Sequence, residues 1–109
     1  MKRSDIWLIH LDPTIVAEIN KTRPVIIVSN DEIGILPLKI VIPITEWKDN
    51  FVNAKWIVKI EKDYINRLDK TSSADTLQVR CVSQERFIKK IGEIDAYTME
   101  KISKSLQIV

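Results

Sequence analysis

Side chains able to do acid–base or nucleophilic chemistry are few in this 109-residue sequence, and they stand apart from one another. His10 is the only histidine, so a ribonuclease mechanism built on two histidines, one acid and one base, is impossible within one chain. It lies among apolar neighbours, where a satisfied structural histidine is expected. Cys81 is the only cysteine, which rules out an internal disulfide, a redox pair or a thiolate cluster. With no histidine near it in sequence, it reads as a small packing residue in a reducing compartment. Only two glycines occur, Gly34 and Gly92, so there is no glycine-rich phosphate loop, and no Cys/His spacing suits zinc. Nucleotide hydrolysis and zinc chemistry thus have no motif to carry them. What remains are the junctions flanking the most apolar segments, above all Lys21-Thr-Arg-Pro-Val and Val41-Ile-Pro-Ile-Thr45.

Taken by themselves these residues have ordinary readings. Arg23 would be an exposed strand-edge arginine with a solvated head, and Thr45 a threonine placed by β-propensity. Yet a guanidinium offers a two-pronged, charge-assisted contact to phosphate oxygens, and a hydroxyl can donate or accept at the same group. Such partners suit a phosphate group on which negative charge builds up.

The elements that would position these side chains are mostly strands. Ile6-Trp-Leu-Ile-His-Leu11 is aromatic and β-branched and stops at Asp12-Pro13. Pro24-Val-Ile-Ile-Val-Ser29 is a near-continuous β-branched run, suited to a central strand buried on both faces, closed by Asn30-Asp31. Lys39-Ile-Val-Ile-Pro-Ile-Thr45 is a third strand, in which Pro43 favours an edge or a bulge. Trp56-Ile-Val-Lys-Ile60 is a fourth, and Leu77-Gln-Val-Arg-Cys-Val82 alternates like a strand with one wet face. A short helix is predicted from a Ser83 cap over residues 84–88. A longer one is predicted from an Asp95 cap, with Met99, Ile102, Leu106 and Val109 on one side. Five strands and a late helix argue for a small, strongly bent sheet or partly closed barrel with helices at its margin.

The length fits one compact domain, 45% hydrophobic. Lys and Arg number 17 against 15 Asp and Glu, so bulk charge neither announces nor excludes a polyanionic partner. The first apolar run is broken by His10 and Asp12, so neither a signal-peptide core nor a membrane span is expected. The expected setting is cytoplasmic.

Three blocks carry a family resemblance. Asp5-Ile-Trp-Leu-Ile-His-Leu-Asp-Pro13, with Glu18 and Lys21-Thr-Arg-Pro-Val-Ile-Ile-Val-Ser-Asn-Asp31, resembles the N-terminal signature of MazF/PemK toxins. Val41-Ile-Pro-Ile-Thr45 is similar to the family's second block. Leu77-Gln-Val-Arg-Cys-Val-Ser-Gln-Glu-Arg-Phe-Ile-Lys-Lys-Ile-Gly92 is similar to its late strand, short helix and lysine-rich turn. The blocks run in the family's order over nearly the whole chain.

The resemblance implies a mainly β (α+β) fold: an SH3-like, strongly curved β-barrel with a C-terminal helix and short marginal helices, spanning residues 1–109 as a single domain and paired as a homodimer. It implies the toxin of a type II toxin–antitoxin system. The activity would be a metal-independent endoribonuclease with no cofactor, cutting single-stranded mRNA to a 2′,3′-cyclic phosphate and a 5′-hydroxyl. By the resemblance Arg23 and Thr45 are the catalytic residues. Around them Lys21, Thr22, Gln78 and Arg80 would contact RNA, and Trp47 and Phe51, in the following loop with Lys48, would form an aromatic platform for an unstacked base. Core or dimer packing is the equally ordinary reading of Trp47. The partner implied is a cognate antitoxin whose flexible acidic segment covers the RNA groove.

Two departures bear on sequence specificity. Residues 14–20 have none of the glycines common in that loop of the family, and Leu77 stands where an acidic residue often precedes the glutamine. Two other functions fit the same chain: a non-enzymatic gyrase poison like the CcdB proteins, and an RNA-binding module that has lost catalysis.

Overall fold

The computed structural model describes residues 1–10, 22–33 and 36–109. It is a mostly antiparallel β structure with one C-terminal helix. Among the described residues seven strands run in the chain order β1 (Asp5–His10), β2 (Thr22–Ile27), β3 (Leu38–Glu46), β4 (Ile57–Ile60), β5 (Ser72–Asp75), β6 (Arg80–Ser83) and β7 (Phe87–Glu93), followed by α1 (Ala96–Ile108). In space their order is β4-β5-β3-β2-β1-β7, with β6 also paired to β3.

The β-branched runs occupy the centre, as expected from their composition. Along β2 the period of two sends Val25 and Ile27 to one apolar cluster and Ile26 to the other. The first cluster joins Ile6, Ile26, Ile42 and Ile44 to Met99 and Ile102 of α1. The second holds Ile9, Val25, Ile27, Val41 and Val82, with Trp7 and Phe87 against it. Those two rings meet edge to face at 5.8 Å.

Pro43 corrects the expectation of an edge or bulge. It is buried in central β3, opposite Val25. On its other side β3 changes partner, pairing with β6 through residues 38–41 and with β5 through residues 44–46. The proline falls in the gap between those ladders, where its missing N–H leaves no bond unmade.

Two segments differ from expectation more fully. The expected strand at residues 77–82 is a 3-10 turn, Thr76–Gln78, followed by β6, and its apolar side faces outward: Leu77, Val79 and Cys81 are exposed while Val82 is buried. The expected helix after Ser83 is a single 3-10 turn, Gln84–Arg86. The cap is real, since Ser83 Oγ accepts from the Glu85 N–H at 3.3 Å, but the chain then enters β7 on the edge beside β1. His10 is also exposed, at the end of β1.

The C-terminal helix starts where its cap predicts. Asp95 Oδ1 accepts from the Thr98 N–H at 2.7 Å, which holds that carboxyl below its ordinary range. Met99, Ile102 and Ser105 are buried, and Ser105 Oγ donates to the Lys55 carbonyl at 3.1 Å. Arg3 ties the helix to the sheet, donating to the Val28 carbonyl and to Ser103 Oγ. Among the described residues no helix is long and apolar enough to cross a membrane.

Candidate active site

The β2–β3 register decides which polar residues meet. The recorded pairs end at Val25 opposite Pro43. Continuing by two residues on each strand, in opposite senses, sets Arg23 opposite Thr45, on one face of the sheet. The two residues singled out in separate sequence blocks do line one depression, a space of about 390 Å³. Thr22 lines it too, as do Glu46, Arg67, Asp69 and Lys70.

Arg23 is shared with a second depression of about 370 Å³, walled by Ile9, Val25, Val41 and Pro43 and carrying Gln78 and Arg80. Its half-buried side chain therefore stands where the two spaces meet. Gln78 is oriented by Asp75, which accepts from its Nε2 at 3.0 Å and from the Leu77 N–H at 3.0 Å. Arg80 is exposed and pairs in register with Val41.

Thr45 has a partner that sequence could not show. Ser73 lies directly across the β3–β5 ladder, is 1% exposed, and sets its Oγ 3.0 Å from Thr45 Oγ1. The same Ser73 hydroxyl donates to the Thr45 carbonyl at 3.3 Å. A hydroxyl has one proton. With Ser73's proton directed at that carbonyl, Thr45 becomes the donor of the hydroxyl pair, and the lone pairs of its own Oγ1 are left to accept. This part-buried, satisfied pair holds the Thr45 rotamer in place.

Other expected contacts lie elsewhere. Lys21 falls outside the described residues, as do residues 14–20. Trp47 packs edge to face on Phe51 at 5.7 Å, with Lys59 Nζ 5.1 Å from its ring centre. Both aromatics line a third depression against Lys101 and Lys104 of α1, not the two that share Arg23. Lys48 is exposed just before the turn Asp49–Phe51.

Chemically, the first depression offers a cation for a phosphate, a fixed hydroxyl, and the two carboxylates of Glu46 and Asp69. One of these, Glu46, is 3.4 Å from Lys70. Nothing in the sequence pattern marks Ser73, Arg67, Asp69 or Lys70. The first depends on strand register and the rest on a loop's path, neither of which a residue pattern carries.

Comparison with known proteins agrees over the whole chain. The family model for PemK-like, MazF-like toxins of type II toxin–antitoxin systems matches residues 2–109. The chain is 25% identical over 114 residues to endoribonuclease MazF9 of Mycobacterium tuberculosis, covering 99% of this chain and 94% of that protein. To endoribonuclease MazF of Staphylococcus saprophyticus it is 26% identical over 108 residues, covering 99% and 89%. Among solved structures, a mycobacterial endoribonuclease in complex with its cognate antitoxin superposes with a TM-score of 0.79 at 16% identity, covering 99% of this chain and 92% of that one. MazF from Deinococcus radiodurans gives 0.75 at 14% identity, covering 99% and 94%. The structural likenesses speak for the fold, and with the family match spanning all but the first residue, the chain belongs to the PemK-like, MazF-like toxins of type II toxin–antitoxin systems.

Proposed function

We propose that this toxin is an endoribonuclease that cuts single-stranded RNA, with Arg23 and Thr45 at the scissile phosphate. The observation that carries the reading is their convergence: two residues from separate strands line one groove, and Arg23 links it to a second that bears Gln78 and Arg80. In the reaction the Arg23 guanidinium binds the scissile phosphate and stabilises its growing charge. A guanidinium stays protonated, so it is a poor base. Thr45, its proton turned toward Ser73, presents lone pairs that orient the attacking 2′-hydroxyl. The 2′-oxygen bonds to phosphorus as the P–O5′ bond breaks; its proton leaves for a groove carboxylate or water, water returns one to the departing 5′-oxygen, and the products are a 2′,3′-cyclic phosphate and a 5′-hydroxyl. Gln78 and Arg80, with Lys21 and Thr22, hold the flanking nucleotides.

The finer fold assigned here is an SH3-like barrel, with residues 1–109 forming one toxin domain in the cytoplasm. Its partners are an antitoxin with an acidic segment lying over the groove, and a second copy of the chain. The surface suited to that copy is the outward apolar side of the β3–β6 ribbon, where Leu38, Ile40 and Val79 are 41, 38 and 37% exposed. It adjoins Gln78 and Arg80, so the RNA groove would run across the two-fold axis. Ile40→Lys should convert the sedimenting species from dimer to monomer; an unchanged dimer would move the interface elsewhere.

The central experiment is incubation with mixed-sequence single-stranded RNA in excess EDTA. Cleavage that leaves cyclic-phosphate ends and is abolished by Arg23→Ala establishes the reading. Gyrase inhibition without RNA cleavage would assign the chain to the poisons, and RNA binding without cleavage to a lapsed enzyme.

A further inference from the structure

The loop between β4 and β5 holds one residue against its own conformational preference. Arg67 has φ 57°, in the left-handed region that suits glycine and, less well, asparagine. The conformation is imposed from several sides. Asn66, only 3% exposed, accepts at Oδ1 from the N–H groups of Asp63 and Leu68, both at 3.0 Å, and donates from Nδ2 to the Glu61 carbonyl at 2.9 Å. The Arg67 N–H donates to the Asp63 carbonyl at 3.0 Å. Behind the loop, Glu93 of β7 donates to the Ile65 carbonyl at 3.2 Å. Gly92 stands so close that a Cβ there would lie 2.5 Å from the Asn66 carbonyl oxygen and 2.6 Å from that of Ile65. The loop cannot relax around Arg67.

Strain of this kind persists only where the surroundings over-determine it, and it concentrates where a side chain has a task. Here the outcome is placement: Arg67 lines the groove that holds Arg23 and Thr45. Burial does not explain it, since the residue is exposed. Ion pairing does not explain it either, because among the described residues no carboxylate pairs with its guanidinium. The charge count of the groove does. Arg23 and Lys70 are offset by Glu46 and Asp69, two against two, so Arg67 turns a neutral groove into a cationic one.

We infer that Arg67 is a second phosphate-binding residue, gripping the RNA backbone beside the phosphate held by Arg23. The inference rests on the groove being the RNA site, and it assigns Arg67 to backbone grip, without sequence readout.

Arg67→Gly and Arg67→Asn test it, because both residues fit φ 57° and neither carries charge. The probe is a mixed-sequence, single-stranded 2′-O-methyl RNA, which keeps its phosphates but cannot be cleaved. Arg67→Gly should melt a few degrees above wild type yet bind about two- to fivefold more weakly. Its plot of log affinity against log salt should be shallower by about 0.7, as for one lost phosphate contact on a single strand. Arg67→Lys should restore the salt slope without the gain in stability. If Arg23→Ala weakens binding while Arg67→Gly and Arg67→Asn leave affinity and slope unchanged, the Arg67 assignment is wrong and the groove stands. Weaker binding at an unchanged slope also overturns it, since the lost contact is then not to phosphate. If neither Arg23→Ala nor Arg67→Gly alters binding, both readings fall.

Discussion

The two depressions that meet at Arg23 have similar volumes and different walls. The one behind Thr45 has a hydroxyl pair locked across a strand ladder and the carboxylates of Glu46 and Asp69. The one behind Gln78 has two long polar side chains over an apolar floor of Ile9, Val25 and Val41. The first has groups that can move or orient a proton; the second can only hold. A reaction that breaks a phosphodiester bond needs both, and the division should appear in the kinetics as a split between kcat and KM.

The largest effect is expected on the chemical side. Arg23→Ala removes the group common to both spaces and should lower kcat/KM by about 10²–10³-fold, the usual loss for one preorganised donor at a developing charge. Thr45→Ala should lower kcat by about a hundredfold with KM nearly unchanged. Gln78→Ala and Arg80→Ala should do the reverse, raising KM about two- to fivefold while kcat stays within twofold. Steady-state cleavage of a labelled RNA separates these patterns. A large fall in kcat from Arg80→Ala would erase the distinction between the two spaces.

How visible this division was in the sequence depends on which contacts set it. The β-branched run after Arg23, the block ending at Thr45 and the Asp95 cap all signal their elements through local composition, and those elements formed. The strand β5, Ser-Ser-Ala-Asp, did not announce itself: small polar residues have weak strand preference, and this strand exists because β3 and β4 both pair with it. Phe87–Glu93 was obscured differently. Its lysines suggest a turn, but they are edge-strand charges facing solvent, as edges require. The apolar alternation at Leu77, Val79 and Cys81 was visible, but its direction was not, since alternation tells which residues share a face without saying which face is inside.

A smaller effect tests whether Thr45 acts alone. Ser73→Ala removes both the partner of Thr45 Oγ1 and the bond to the Thr45 carbonyl, so kcat should fall by up to about tenfold, the equivalent of one net hydrogen bond. A merely structural serine would lower stability in the Thr45→Ala background as much as in wild type and leave the kcat loss additive. A positioning serine should lose its kinetic effect once Thr45 is alanine, and Ser73→Thr should recover part of the rate. Additive losses in that double-mutant cycle would remove Ser73 from the site and leave Thr45 to be held by its strand alone.

The smallest expected effect on catalysis comes from α1, which marks where the functional division ends. The Asp95 carboxyl is held below its ordinary range, first by the backbone N–H of Thr98 and then by that residue's side chain. Folding therefore favours its ionised form, and the increment is present above the carboxylate range and lost as pH falls through the lowered value. Asp95→Ala should lower stability near neutral pH by about 0.5–2 kcal/mol, the usual loss for a helix cap. The gap between variant and wild type should narrow as pH falls from neutral through the ordinary carboxylate range, and close only below the lowered value of the folded carboxyl. The group is largely exposed, so salt should shrink its charge-dependent part, while kcat and KM at neutral pH stay at wild-type values. Denaturant unfolding across that pH range, beside cleavage assays on the same protein, measures both. A variant that unfolds normally but cleaves poorly would mean that the helix shapes the groove as well as the core.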